Sequence, residues 1–404
     1  MSADLTSVLL WVFWISSGLI LYTYFCYPLL LIAAAGLSQM WGDLQFASRR
    51  KERRRLAGAD GTTVSLCFAA HNEEAVIEAK LRNCAALVYP PGQLEILIGC
   101  DACSDRTADL SRRSGLAALR VFDYQERTGK PEVLNRLVRE AQGELVVFCD
   151  ANTMLAPNVL EKLVRHFQDS RVGCVCGELQ LVSPDGRPQP EGLYWRYELF
   201  LKFLESRLNL LLGANGAVYA IRRALFTTLP KQAIVDDFLV AMQIRNRGFR
   251  VIYDPEAVAS EETPQAVRAE FRRRVRIGAG NFHALRYTLR LLTPLAGPIC
   301  FSYWSHKVFR WLVPFALPVA FVAAAALSLQ SGWFYGLCAA GGLLLTALAA
   351  VGYRLEVRNI HYPPFSVPYY FLSMNLALFL GFLRFVSGSQ TAVWQRTARE
   401  RQHS

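Results

Sequence analysis

The apolar residues of this chain are crowded toward its two ends, and that asymmetry restricts the fold more than any other feature. Hydrophobic residues make up 52% of the 404 positions, yet the middle is charged. Residues 9–37 are almost wholly apolar. A helix needs only about 20 such residues to cross a bilayer, so there is length to spare for tilt or for a kink at Pro28. Residues 311–329, 333–351 and 367–386 read as three more spans, and the turn Gln330-Ser331-Gly332 is so short that the first two of these form a hairpin. The first segment has Asp4 as its only early charge and no cleavage site, which makes it a retained anchor and not a signal peptide. The pattern is that of a membrane protein with a water-soluble central domain.

The run Arg49-Arg50-Lys51-Glu52-Arg53-Arg54-Arg55 follows the first span directly. Basic residues flanking a span stay on the cytoplasmic side, so this run places the central domain inside the cell. The net charge of +11 is then explained by juxtamembrane residues facing anionic lipid, without nucleic acid. Four spans would return the tail to the outside, whereas Arg396, Arg399 and Arg401 favour the inside. Either one stretch does not cross, or a further one lies near 291–303. The expected division is an anchor at 1–45, a basic linker at 46–62, a cytoplasmic α/β domain at 63–285, a membrane region at 286–390 and a basic tail at 391–404.

Between 63 and 152, short β-rich runs (64–69, 94–100, 118–122, 145–149) alternate with helical runs starting near Glu73, Asp105 and Pro131. Nearly continuous apolar strands alternating with helices predict a mostly parallel sheet covered on both faces. Such sheets bind ligands outside the carboxyl ends of their strands. Ala69-Ala70-His71-Asn72-Glu73, Asp101 and Asp150 all fall at those ends. Residues 191–212 combine Trp195, Tyr197 and many leucines with interspersed charges, which predicts a helix in the headgroup plane in preference to a core helix. Residues 269–292 read alike, and their arginines could also line a polar channel. The ten cysteines, Cys100 and Cys103 included, lack paired metal-ligand spacing and read as free thiols of a reducing compartment.

Three groups carry chemistry. Asp150-Ala151-Asn152 closes the fourth strand, and its hard oxygens suit Mg²⁺ or Mn²⁺. Lys130, after Thr128-Gly129 at a helix start, can meet a pyrophosphate, although taken alone it reads as a solvated loop lysine. Asp236-Asp237 opens a helix over 238–246, where one acid can cap while the other points into the cleft as a base.

These motifs in this order resemble the family 2 inverting glycosyltransferases, over about residues 64–281. The similarity is to the membrane-embedded branch that includes cellulose, chitin, hyaluronan and poly-N-acetylglucosamine synthases. Ala70-His71-Asn72-Glu73-Glu74, Asp101 through Thr107, Gly129-Lys130 through Asn135, Asp150-Ala151-Asn152, Val235-Asp236-Asp237 and Arg273 through Ile277 each look like one of the family's segments. The resemblance implies a GT-A type α/β domain. It assigns Glu73 and Asp101 to the nucleoside, Lys130 and Arg276 to the phosphates, Asp150 with Asn152 to Mg²⁺ or Mn²⁺, and Asp237 to the role of catalytic base. It also implies a nucleotide-sugar donor of the UDP-sugar kind and a glycan or lipid-linked acceptor at the membrane; four or so spans make only a narrow pore for a polymer, which calls for an export partner or second copy. Three positions depart from the family pattern. Asn152 replaces an acid, and Ile277 replaces the tryptophan that stacks under the acceptor sugar, with Arg273 in place of a glutamine. Processive synthesis and addition of one or a few sugars both stay open. A catalytically inactive structural subunit is the alternative, opposed by the complete set of Asp101, Asp150, Asp237 and Arg276.

Overall fold

The computed structural model describes residues 3–49, 61–182, 193–262, 267–330, 332–358, 360 and 362–388. Most of the 49–55 basic run, Ser331 of the short turn and the 391–404 tail lie outside them.

The expected strands form. They are β1 (Val64–Ala70), β2 (Leu94–Asp101), β3 (Leu119–Tyr124) and β4 (Leu145–Cys149), which pair in parallel in the order β3-β2-β1-β4. Helices α3 (Ile77–Ala85), α4 (Thr107–Arg112) and α5 (Lys130–Glu140) make the crossovers. The whole of β1 is buried, as expected of a strand covered on both faces. Leu66 and Phe68 pack with Ile96 and Val147 on one side. Cys67 packs on the other with Leu97, Val133 and Leu137.

The sheet then continues beyond what the alternation predicts. After β5 (Met154–Leu155), helix α6 (Val159–Val164) and β6 (Val172–Val182) come β7 (Val218–Arg222) and β8 (Arg250–Glu262). The full order is β3-β2-β1-β4-β7-β6-β8-β5. Strand β7 runs antiparallel to both β4 and β6, while β8 is parallel to β6. This half brings Glu261, near the end of β8, against Asn152, just past the end of β4.

Four helical stretches are long and apolar enough to cross a membrane: Asp4–Phe46, Pro298–Ser328, Trp333–Glu356 and Pro363–Val386. The first comprises α1 (Ala3–Leu21) and α2 (Tyr27–Arg49), joined by a π turn at Tyr22–Cys26. Pro28 has no N–H to give and crowds the carbonyl four residues earlier. The widened turn accommodates it, where the sequence predicts a kink. The second stretch holds α10 (Pro298–Ser302), a π turn at Tyr303–Val308 and α11 (Phe309–Ser328), so the region near 291–303 leads into this helix and is not a span of its own. The remaining two are α12 (Trp333–Glu356) and α13 (Pro363–Val386).

Helix α7 (Leu193–Arg207) joins the two halves of the molecule. The sequence predicts it at the headgroup plane; one face is apolar and exposed at Phe200 and Phe203. The other face is core: Leu201 and Leu204 pack on Tyr27, Leu31 and Ala35 of α2. Buried Glu205 accepts hydrogen bonds from Tyr27 Oη at 2.7 Å and pairs with His306 Nδ1 at 2.6 Å. Ser302 Oγ donates to the carbonyl of Leu210 at 3.0 Å. The segment leading from α7 to β7 is thereby fixed from both sides.

Candidate active site

The strand-end loops brace one another before they offer anything to a ligand. Asn72, in the left-handed region at φ 55, accepts from the Ser104 N–H at 2.8 Å. Asp105 accepts from the N–H groups of Glu74 and Thr107 at 3.1 and 2.9 Å. Glu73, 8% exposed, donates its N–H to Thr107 Oγ1 at 2.8 Å. Asp101 is buried at the end of β2 and accepts from the N–H groups of Thr128 and Gly129 at 2.7 and 2.8 Å. Gly129 has φ 87, a conformation that costs a residue with a Cβ far more than glycine. Asp101 thus shapes the turn that launches α5, with Lys130 as its first residue.

From that turn Lys130 reaches across the carboxyl end of β4. Its Nζ lies 2.7 Å from Asp150 Oδ1 and 3.2 Å from Asp236 Oδ2. Burial opposes the ammonium charge, but Asp150, Asp236 and Asp237 outweigh it and raise its pKa. Helix α8 (Asp236–Asn246) starts here. The capping expected of one acid is only partly realised, because Asp237 Oδ1 accepts from the next residue's N–H at 2.7 Å while Asp236 is spent on Lys130. Burial, then the Asp236 charge, pushes the Asp237 carboxyl up to about 6, against the pull of Lys130. Gly216 marks how close the acids come: a Cβ there would lie 3.5 Å from Asp150 Oδ2 and 3.6 Å from Asp237 Oδ2. A larger side chain at 216 would occupy the space between them.

The remaining expected residues approach from β8 and from helix α9 (Val267–Thr288). Asn152 Nδ2 donates to Glu261 Oε1 at 2.8 Å, a carboxylate at the end of β8 that no motif pointed to. Arg276 is half-buried. Burial lowers its pKa against the opposing charges of Asp236 and Asp150. Arg273 feels Glu261, Glu270, Asp150 and Asp237, which overcome burial and raise its pKa. Both arginines are therefore within electrostatic reach of Asp150. Ile277 is 40% exposed.

All seven expected residues fall at this end of the sheet. Lys130, Asp150 and Asp237 are in mutual electrostatic contact, with Arg276 alongside. Glu73 follows β1, one strand further out, Asp101 ends β2, two strands out, and Asn152 turns its amide nitrogen to Glu261. Thr128, Gly216, Asp236 as a partner of Lys130, and Glu261 escaped the sequence reading. Of these only Asp236 carried a visible signal, as half of an acidic pair.

Among the described residues no group of three or more His, Cys, Asp and Glu is arranged to hold a metal ion. The donors present, one carboxylate and one amide oxygen with no soft ligand, still fit Mg²⁺ or Mn²⁺. Such ions keep waters and complete their shells with substrate phosphate oxygens.

Residues 61–280 match the model of the family described as Glycosyltransferase like family 2. The chain belongs to that family. Poly-beta-1,6-N-acetyl-D-glucosamine synthase of Staphylococcus aureus is 26% identical to this glycosyltransferase over 259 residues, 60% of each chain. Probable glycosyltransferase YdaM of Bacillus subtilis is 24% identical over 250 residues, 54% of this chain and 55% of the relative. The match thus spans less than two thirds of these relatives' length. A mannosyltransferase of Pyrobaculum calidifontis, solved with GDP-Man and Mn²⁺, superposes with a TM-score of 0.62 at 24% identity, covering 90% of this chain and 99% of that one. The likeness establishes the GT-A fold for the glycosyltransferase.

Proposed function

We propose that this protein is an inverting glycosyltransferase acting at the cytoplasmic face of a membrane. It moves a sugar from a nucleotide-sugar, a UDP-sugar in our reading, to a glycan or lipid-linked acceptor in polysaccharide or glycolipid synthesis. The observation that carries the proposal is the cluster at the end of β4, where Lys130 Nζ lies 2.7 Å from Asp150 and 3.2 Å from Asp236 with Asp237 next in the chain; burial raises the Asp237 carboxyl toward neutrality, as a general base requires. Asp237 takes the proton of the acceptor hydroxyl. The acceptor oxygen forms its bond to the anomeric carbon as the bond to the diphosphate breaks on the opposite face, which inverts the configuration. Lys130 and Arg276 neutralise the departing diphosphate. Asp150 with Asn152 would hold Mg²⁺ or Mn²⁺, whose contribution is Lewis-acid neutralisation of the same charge. Asp101 holds the Thr128–Gly129 turn, and Glu73 would contact the nucleoside.

The relatives' names support polysaccharide chemistry, and the four apolar helices support the membrane site. Purified protein in lipid, incubated with a panel of radiolabelled nucleotide-sugars, should label a product from one of them. The labelling should stop with EDTA and return with Mn²⁺ or Mg²⁺. Full activity in EDTA contradicts the metal assignment, and no turnover with any donor favours the inactive structural subunit.

A further inference from the structure

Where α8 ends, a cavity of about 490 Å³ opens beside the start of α10. It is lined by Arg245, Arg247, Arg290 and Asn246, with Leu295 and Ile299 as apolar wall. None of these residues belongs to the site described above. The cavity is a built one. Asn209 adopts φ 59 and fixes buried Arg245, whose Nη1 donates to Asn209 Oδ1 at 2.8 Å and whose Nη2 donates to the Asn209 carbonyl. Arg245 is 6% exposed, and its Nε has no partner, nor has Asn246 Oδ1. The neighbouring Arg250 pairs with Asp169 at 3.5 Å, whereas among the described residues no carboxylate pairs with Arg245, Arg247 or Arg290. Burial and Arg250 push the Arg245 guanidinium down to about 10, a cost that a bound anion would relieve.

The position narrows the anion. Pro298 opens a membrane-length helix, and Leu289 and Leu295 stand 59% and 87% exposed just before it. A free phosphate has no use for an apolar lip. A phospholipid sets its phosphodiester among arginines and its acyl chains along leucines. We propose that this cavity binds the headgroup of an anionic phospholipid, phosphate to the three arginines and a headgroup hydroxyl to Asn246. The proposal rests on the membrane placement of residues 298–328 given above.

The test uses the full chain in nanodiscs of phosphatidylcholine mixed with phosphatidylglycerol, read by native mass spectrometry after extraction. The parent is compared with the double variant Arg247→Gln/Arg290→Gln. Both positions are exposed, so the fold should survive, and circular dichroism checks it. The parent should retain phosphatidylglycerol over phosphatidylcholine, and the double variant should retain about tenfold less. Equal retention of the two lipids, or equal retention by parent and variant, overturns the site. Displacement of the lipid by inorganic phosphate at millimolar level makes it a soluble-anion site and overturns the lipid assignment. A protein that never enters the discs contradicts the membrane placement as well, whereas one that enters and holds no phosphatidylglycerol contradicts this site alone.

Discussion

Asp236 and Asp237 are adjacent in sequence yet serve opposite ends of one charge balance. Asp236 offsets Lys130 at 3.2 Å, and its charge adds to burial in raising Asp237 to about 6. A base works deprotonated, so kcat/KM should rise as pH increases through about 6 and level off above it. In Asp236→Asn the neighbouring negative charge is gone, so the acidic limb of the profile should move to lower pH. A limb that stays in place, read from kcat/KM between acid and neutral pH, would mean that Asp237 is not the titrating base. Glu261 shows what the sequence withheld at this scale. Asn152 was visible at the end of a strand, but its partner lies 109 positions away in a strand that no motif marks.

The elements nearest the site were legible because their chemistry is local. Apolar runs ending in polar residues located β1 to β4 within a residue or two at most boundaries, and the nucleoside and metal candidates Glu73, Asp101 and Asp150 lay at those ends. The antiparallel half was not legible. Strand β6 buries Cys174, Val175 and Cys176 in succession, so no alternation announces its face, and β8 pairs with β6 through two register shifts. Helix α9 crosses α13 through glycines, a contact that its charged sequence does not announce. A Cβ at Gly381 would lie 2.7 Å from the Ala279 nitrogen and 2.9 Å from the Val275 carbonyl, backbone atoms that cannot turn aside. Gly381→Ala should therefore displace α9 and its Arg276, costing about 1–3 kcal/mol of stability and raising the KM for donor. Gly341→Ala, where a Cβ meets nothing within 4 Å, is the control. Equal melting temperatures for the two variants in detergent would remove the argument.

At the scale of the molecule, a GT-A domain is fastened to membrane-length helices through α7, with Glu205 and His306 at the junction. The proposed orientation, with this domain inside the cell, rests on the positive-inside rule applied to Arg49 through Arg55. An impermeant thiol reagent on intact cells should fail to label a cysteine introduced near Asp185-Gly186, a segment outside the described residues, until the cells are lysed. Labelling without lysis would invert the topology. The central claim, that Asp237 deprotonates the acceptor in a nucleotide-sugar transferase, is tested most directly by single-turnover transfer in Asp237→Asn, with nucleotide binding and melting temperature measured on the same preparation. The account predicts near-normal binding and melting with transfer slowed by about 10²–10⁴-fold. Transfer within a few-fold of the parent would contradict it.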